Sequence, residues 1–117
     1  MDMVDIRRME RVIGTNSRFV EKVFAESEIQ YCEGRVKKAQ HYAARFAAKE
    51  ACFKALGTGW REGMGWQEIV VENDGLGKPS IRLTGKTLEV FKRRGGTAIH
   101  LSLAHERSYA LAFIIIE

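Results

Sequence analysis

A glutamate stands on the apolar side of the most regular helical pattern in this sequence. Glu50 follows Ala43 by seven residues and Phe46 by four, and helical spacing places all three on one face. Lys54 lies one turn further along the same side. A carboxylate drawn toward a core requires a cation, which is either a side chain or a metal ion. Glu50 and Lys54 are therefore either a surface ion pair, the simpler interpretation, or part of a reactive site.

A second carboxylate comes from the first residues of the chain. Residues 1–6 alternate in the period-2 manner of a short strand, which places Asp2 beside apolar neighbours. If this strand lies against the central helix, Asp2 and Glu50 converge among basic side chains. Mg²⁺ commonly takes one or two protein carboxylates and completes its shell with phosphate oxygens and water. The pair therefore predicts a magnesium site held by Asp2 and Glu50.

Positive charge is concentrated around the same helix. The formal net charge is +4, from 19 Lys and Arg against 15 Asp and Glu. Between residues 35 and 54 one acid, Glu50, accompanies six basic residues: Arg35, Lys37, Lys38, Arg45, Lys49 and Lys54. Such a cluster favours a phosphate-bearing partner, either a nucleic acid or a small polyphosphate. A basic helix face that is merely solvated is the alternative.

These residues also carry a family resemblance. Residues 45–59 read RFAAKEACFKALGTG, and this stretch resembles the R-F-A-x-K-E-A-x-x-K-A-x-G-T-G signature of the holo-acyl-carrier-protein synthases, the small phosphopantetheinyl transferases. The opening at residues 2–8, the Gly77-Lys78-Pro79 tripeptide and the strand ending Leu101-Ser102-Leu103-Ala104-His105 resemble further motifs of that family in the same order. The resemblance covers essentially the whole chain.

The resemblance implies a reaction and a set of partners. In this family the 4′-phosphopantetheine arm of coenzyme A is transferred to a serine of apo-acyl carrier protein, and adenosine 3′,5′-bisphosphate is released. Mg²⁺ on Asp2 and Glu50 would neutralise charge on the pyrophosphate, and Lys54 would offset charge on the leaving phosphate. The serine proton needs a base, and Glu50 itself or a metal-bound water are both candidates.

The resemblance also implies which residues bind coenzyme A. Arg45 and His105 are expected at its phosphates because they match family motifs, and Ser102 enters through its spacing to His105. Lys49 is added on its charge alone. Gly57 and Gly59 would let the loop backbone approach the cofactor. The predicted cofactor-binding set is Arg45, Lys49, Lys54, Gly57, Gly59, Ser102 and His105.

A second basic group lies near Asp2. It consists of Arg7, Arg8, Arg11 and Arg18. Acyl carrier proteins are strongly acidic, so we expect this group to form the carrier-binding surface.

The elements that must position these residues follow an α+β order. The patterns predict a small antiparallel sheet packed against one long central helix and shorter helices, in a single domain over residues 1–117. The predicted strands are 1–6, 66–72, 80–83, 97–104 and 109–116, and the predicted helices are 7–13, 17–24, one from Ser27, 36–56 and 86–93.

The apolar residues of the last predicted strand indicate that several copies of the chain assemble. Residues 113–116 are all apolar, so both faces of this strand are expected to be buried. A chain of 117 residues has little material to cover both sides of a sheet, although the long helix and the short helix could each cover one. Because the single-domain transferases of this length also look like trimers, we expect a homotrimer with the active site between neighbouring subunits.

Several other classes are disfavoured by composition. The longest apolar run, Tyr109–Ile116, is too short for a membrane-spanning helix, and no secretory signal opens the chain, so a cytoplasmic protein is expected. Cys32 and Cys52 lack the spacing of a zinc site and are expected to be reduced thiols. A nucleic-acid-binding module remains the alternative function, although no RNP, KH or helix-turn-helix pattern supports it.

Overall fold

The computed structural model describes residues 1–57 and 63–117. Its strands are β1 (Asp2–Asp5), β2 (Ile69–Asn73), β3 (Pro79–Leu83), β4 (Ile99–His105) and β5 (Tyr109–Ile116). Its α-helices are α1 (Ile6–Thr15), α2 (Ser17–Val23), α3 (Glu26–Glu33), α4 (Lys38–Leu56) and α5 (Gly85–Arg93). The predicted α+β class is confirmed, and the predicted elements are found with boundaries shifted by a few residues.

The helix α4 is the centre of the molecule. Its alanines bring the backbone close to its neighbours, and Ala43, Ala47 and Ala48 are fully buried. The helix ends where Gly57 adopts φ +83°, a left-handed conformation that suits glycine, and the Gly57 N–H caps the carbonyls of Phe53 and Lys54. Strands β1, β4 and β5 and helix α1 all pack against α4.

Two antiparallel sheets accompany this helix. One has the strand order β1-β5-β4, with Asp2 opposite Ala112 and Ser102 opposite Phe113. The other is the β2–β3 hairpin, as predicted.

The prediction that both faces of β5 are buried is wrong for the single chain. The side chains alternate: Ala112 and Ile114 are buried, whereas Phe113 and Ile115 are each 51% exposed. The pleat of the strand causes this alternation, because α4 covers only one face of the sheet. Among the residues that the structure describes, no short helix covers the outer face at Phe113 and Ile115.

Side-chain and backbone caps set the helix boundaries near the N-terminus. The Asp5 carboxylate accepts a hydrogen bond from the Arg8 N–H at 3.2 Å, which begins α1 directly after β1. Helix α3 begins at Glu26, one residue before the predicted Ser27, because the Glu28 carboxylate accepts from the Ala25 N–H and stabilises the earlier start.

The remaining expectations concern the thiols and the membrane. Cys32 and Cys52 are buried free cysteines, and burial raises the pKa of each thiol to about 12, so both are unreactive at neutral pH. Within residues 1–57 and 63–117, none of the helices combines the length and apolar character needed to cross a bilayer.

A buried ammonium ties α4 to the elements on its far side. Lys49 Nζ is completely buried and lies 2.7 Å from Glu28 Oε1 on α3. It also donates to the carbonyls of Trp66 and Ile69, which lead into β2. The second oxygen of Glu28 accepts from the Val71 N–H of β2 at 3.1 Å. Burial lowers the pKa of Lys49, and the charge and hydrogen bond of Glu28 partly oppose that shift.

We predict that Lys49→Met lowers the free energy of unfolding by about 3–5 kcal/mol, because the buried Glu28 carboxylate and the two carbonyls then lose their hydrogen-bond donor. Urea unfolding measures this change. The matched control is Lys38→Met on the same helix, which breaks an exposed pair with Glu33 and should cost less than about 1 kcal/mol. Equal losses in the two variants would contradict the role given to Lys49.

Candidate active site

Strand β1 and helix α4 bring the two predicted carboxylates together. Asp2 is the first residue of β1, and Glu50 lies on the side of α4 that faces β1 and α1. Lys54, one turn after Glu50, donates from Nζ to Asp2 Oδ1 at 2.8 Å. The predicted convergence of Asp2, Glu50 and Lys54 is therefore present in the fold.

Asp2 and Glu50 form a closely spaced pair of carboxyl groups, so a negative charge on one disfavours a negative charge on the other. Burial raises the pKa of Glu50, and the neighbouring Asp2 raises it further through its charge and a hydrogen bond between the two carboxyl groups. Lys54 and Arg8 oppose that shift. The hydrogen bond and charge of Asp2 raise the pKa of Lys54, so this lysine stays protonated.

Glu50 opens into a cleft of about 500 Å³, which we call the carboxylate cleft. Arg8 and Asp5 form part of its wall, and Phe19 and Phe46 form its apolar side. No cluster of three or more His, Cys, Asp or Glu side chains occurs among the residues that the structure describes. Two carboxylates without a third protein ligand suit a hard divalent ion that takes its remaining ligands from phosphate oxygens and water.

The assignment of Lys49 as a coenzyme A ligand is wrong. Its ammonium has three donors, and Glu28, Trp66 and Ile69 take all three inside the core. Lys49 therefore has no N–H left for a phosphate. Its charge predicted a phosphate contact, but the local pattern could not reveal a carboxylate partner 21 residues earlier in the chain.

Arg45 is also buried, and it keeps a free donor. Its side chain is 3% exposed, and its Nη2 donates to Asn73 Oδ1 at 2.5 Å. The guanidinium carbon lies 4.1 Å from the centroid of the Tyr31 ring. Arg45 Nε is buried without a hydrogen-bond partner. An orphaned buried N–H is costly, so this donor is available to an acceptor from a ligand or from water.

Arg45 belongs to a second cleft, of about 430 Å³, which we call the arginine cleft. Its walls are Tyr31, Arg35 and Arg45 on the helical side and residues 71–75 and Gly77 of the β2–β3 hairpin on the other, with Ser27 at the side. Arg45 and Glu50 are five residues apart, so their side chains leave α4 in directions about 140° apart. The two clefts share no lining residue.

The predicted pair Ser102 and His105 is divided between the faces of β4. Residues three apart in a strand point to opposite faces, and Ser102 is on the exposed outer face opposite Phe113. His105 Nε2 lies 3.2 Å from Gln40 Nε2 at the start of α4. Gln40 precedes Glu50 by ten residues, which is about 15 Å of helix. Within one chain, His105 is therefore remote from the carboxylate cleft.

The glycines and the second basic group complete the predicted set. Gly57 caps α4 three residues after Lys54, and Gly59 lies outside the residues that the structure describes. Arg7, Arg8, Arg11 and Arg18 are all exposed. Arg8 lines the carboxylate cleft, and Arg18 lines a larger groove of about 820 Å³ that shares Phe19 and Phe46 with that cleft.

The alternative of a nucleic-acid-binding module depended on a basic helix face. Arg45 and Lys49 are buried on α4, and Lys54 is paired with Asp2. The helix therefore does not present the continuous basic surface that tracks phosphates.

Two residues of the arginine cleft were not predicted. Tyr31 and Asn73 contact Arg45 from α3 and β2, respectively. Asn73 lies shortly before the Gly77-Lys78-Pro79 motif, and this proximity was its only signal in the sequence.

Comparisons with known proteins give one consistent result. A family model described as the 4′-phosphopantetheinyl transferase superfamily matches residues 1–114. A holo-[acyl-carrier-protein] synthase of Geotalea daltonii is 47% identical over 118 aligned residues, which cover 100% of this chain and 94% of the relative. The enzyme of the same name from Syntrophus aciditrophicus is 48% identical, and the alignment covers 100% of this chain and 92% of that relative.

Solved structures agree with the sequence relatives. The holo-[acyl-carrier-protein] synthase of Neisseria meningitidis has a TM-score of 0.89 at 30% identity, over 99% of this chain and 94% of that one. The Helicobacter pylori enzyme in complex with coenzyme A has a TM-score of 0.85 at 27% identity, over 99% of this chain and 96% of that one. The similarity therefore extends over both clefts.

Proposed function

The chain belongs to the 4′-phosphopantetheinyl transferase superfamily, and from this membership we propose that it converts an apo-acyl carrier protein to its holo form with coenzyme A as co-substrate. The resemblance predicted from the motifs is thereby confirmed. The observation in the fold that carries the function is the convergence of Asp2 and Glu50 beside Lys54. The function belongs to fatty acid biosynthesis, and because both reactants are cytoplasmic, we place the reaction in the cytoplasm.

The reaction is a phosphoryl transfer. The oxygen of the carrier serine forms a bond to the β-phosphorus of coenzyme A, the bond from that phosphorus to the bridging oxygen breaks, and adenosine 3′,5′-bisphosphate leaves. Negative charge grows on the leaving phosphate, and the serine loses a proton. Catalysis therefore needs cations at the diphosphate and a base at the serine.

Asp2 and Glu50 are the residues that would hold Mg²⁺. The two carboxylates lie close together, and the raised pKa of Glu50 shows that their negative charges disfavour one another. A divalent cation between them would remove this repulsion, so the pair fits the ion. When bound, Mg²⁺ supplies positive charge to the diphosphate.

Lys54 and Glu50 serve the leaving group and the proton. The Lys54 side chain is 62% exposed and reaches Asp2 from the solvent side, so its ammonium is free to turn toward the leaving phosphate. Glu50 is half-buried at the wall of the carboxylate cleft, where a carrier serine would enter. It is our candidate base, because its raised pKa favours accepting a proton.

Arg45 and His105 are proposed to bind the nucleotide end of coenzyme A. Arg45 contributes the unpartnered Nε, and His105 stands near the same end of α4 through Gln40. Arg45 lies on a different side of α4 from Glu50 of its own chain, and His105 lies about ten helical residues away from that Glu50. One coenzyme A molecule that meets all three residues is therefore best accommodated between two chains.

The outer face of the β1-β5-β4 sheet is the surface for that assembly. Met3, Phe113 and Ile115 are each more than half exposed there. An apolar sheet face without cover marks an interface, and the occupant we propose is a second copy of the chain. A closed ring of three copies uses this heterologous contact without leaving an open end.

We predict that Asp2→Asn and Glu50→Gln each lower transfer at least about 100-fold while the fold is retained, because each removes a charged ligand without changing shape. The assay mixes the protein, coenzyme A, Mg²⁺ and apo-carrier and weighs the intact carrier. Glu89→Gln on α5, which removes an exposed carboxylate elsewhere, is the control and should remain active. Wild-type transfer by Glu50→Gln without a divalent ion would contradict the site.

The exposed arginines of α1 and α2 are expected to steer the acidic carrier. We predict that Arg11→Glu raises the KM for carrier at least about tenfold and leaves the KM for coenzyme A nearly unchanged, with a difference that shrinks as salt is added. Arg11 is preferred to Arg8 because it does not line the carboxylate cleft. Lys92→Glu reverses a charge on α5 and is the control. Equal changes in both KM values would count against this surface.

The trimer gives a further prediction. Sedimentation should report about three times the 13.3 kDa mass of one chain. Phe113→Arg should yield smaller, inactive species, because it places a charge in the apolar interface, whereas Leu76→Arg at the exposed hairpin tip should leave the trimer intact.

A mixing experiment tests whether the sites are shared. Glu50→Gln and His105→Ala are each expected to be inactive alone and to regain part of the activity when they are co-expressed. In the mixture, some interfaces pair the intact Glu50 of the His105→Ala chain with the intact His105 of the Glu50→Gln chain. A fully active monomer, or no recovery in the mixture, would refute a site between subunits.

A further inference from the structure

A glutamine side chain contacts the ring of His105. His105 is the last residue of β4, and its Nε2 atom lies 3.2 Å from Nε2 of Gln40, in the first turn of α4. Gln40 is half-buried, whereas His105 is exposed. The two residues are 65 positions apart in the chain, so no local pattern connects them. The contact therefore arises from the packing of β4 on α4.

The backbone at His105 is fixed by other contacts. His105 pairs with Ala110 across the β4–β5 ladder. In the turn that follows, the Glu106 N–H donates to the Tyr109 carbonyl at 2.9 Å, and the Glu106 carboxylate accepts from the Ser108 N–H at 2.8 Å. The freedom that remains is rotation of the His105 side chain, and ordering that side chain when a ligand binds costs entropy. A hydrogen bond to the ring in the free protein removes part of this cost.

The chemistry of this contact defines which ring nitrogen carries the proton. The nitrogen of a side-chain amide donates hydrogen bonds and does not accept them. Because the amide nitrogen of Gln40 is the atom beside the ring, His105 Nε2 must accept, and the neutral ring then carries its proton on Nδ1. Among the residues that the structure describes, none accepts a hydrogen bond from Nδ1. The Nδ1–H group is therefore open to a ligand.

Basic groups predominate around His105 and Gln40. Gln40 lines a groove of about 670 Å³ whose charged residues are Glu10, Lys37, Lys38 and Arg107. Burial lowers the pKa of His41, the residue after Gln40, and the positive charges of Arg45, Arg35 and His105 lower it further. Surroundings that disfavour an added proton favour a bound anion in the same place. The ligand that accepts from His105 is therefore expected to be anionic.

We propose that Gln40 is a positioning residue for the co-substrate: its amide holds His105 in the neutral Nδ1–H form, so that Nδ1–H donates to a phosphate oxygen of coenzyme A. The inference rests on the proposed function, which places His105 at the nucleotide end of coenzyme A. Gln40 acts through the ring and does not itself contact the phosphate. Because the ring is ordered before the ligand arrives, its hydrogen bond to the phosphate is formed at a smaller loss of entropy.

Nitrogen chemical shifts of the histidine rings test the tautomer directly. The chain has three histidines, and His105→Ala assigns the His105 signals by their loss. At a pH where the ring is neutral, the wild-type protein should show a protonated Nδ1 and an unprotonated Nε2 at His105. Gln40→Met keeps the length of the side chain without its donor, and should return the ring mainly to the Nε2–H form that free histidine prefers. A wild-type ring that is protonated at Nε2 would overturn the proposal.

Steady-state kinetics show whether the orientation of the ring matters to the co-substrate. Gln40→Met should raise the KM for coenzyme A about threefold to tenfold, in keeping with one weakened hydrogen bond, and should leave kcat and the KM for carrier nearly unchanged. Gln30→Met makes the same replacement at an exposed position of α3 and is the matched control, with all three constants unchanged. An unaltered KM for coenzyme A in Gln40→Met, or a loss confined to kcat, would refute the role given to Gln40.

A binding measurement separates this inference from the proposed function. Calorimetric titration with adenosine 3′,5′-bisphosphate needs no transfer, and Gln40→Met should weaken binding about threefold to tenfold without lowering the melting temperature. In the His105→Ala background the same replacement should have no further effect, because Gln40 acts through the ring. A further loss in that background, or weaker binding that comes with a lower melting temperature, would show that Gln40 is only structural. If the wild-type protein did not transfer the arm, the proposed function would fail while the spectra and the titration still decided the role of Gln40.

Discussion

The buried contact between Lys49 and Glu28 is the constraint on which the site depends. An ammonium and a carboxylate with no exposure to water are stable only if every donor and acceptor has a partner, so α3, α4 and the start of β2 must meet in one arrangement. That arrangement sets the rotation of α4 about its axis. Glu50 follows Lys49 directly and is therefore turned about 100° away from the buried pair, toward β1 and Asp2.

The same rotation separates the two halves of the chemistry. With Lys49 facing the core, Arg45 leaves α4 beside Tyr31 and the β2–β3 hairpin, whereas Glu50 leaves it beside α1 and β1. A central helix surrounded by packed elements cannot bring these two side chains to one small ligand. The apolar outer face of β5 provides a way for neighbouring chains to join one cleft to the other. Assembly and catalysis are thus linked through the geometry of one helix.

The residues that were predicted well are those whose signal is local. Glu50 and Lys54 are one turn apart, so helical spacing places them on one side, and the alternation in β1 marks Asp2. Lys49 was misassigned because a lysine in a basic segment looks the same whether its ammonium faces solvent or a buried carboxylate. The apolar run at residues 113–116 was misjudged for a related reason, since hydrophobicity does not reveal which face of a strand the same chain covers.

The sequence by itself determined the α+β order, the family motif around Glu50 and the candidate carboxylates, because these depend on periodicity and on residues close together in the chain. Only the tertiary structure decided that Lys49 is structural and that Tyr31, Arg35 and Arg45 share a cleft. Each of these depends on partners far apart in sequence, such as Glu28 with Lys49 or Asn73 with Arg45. Contacts of that kind are set by how the elements pack, and no local pattern encodes them.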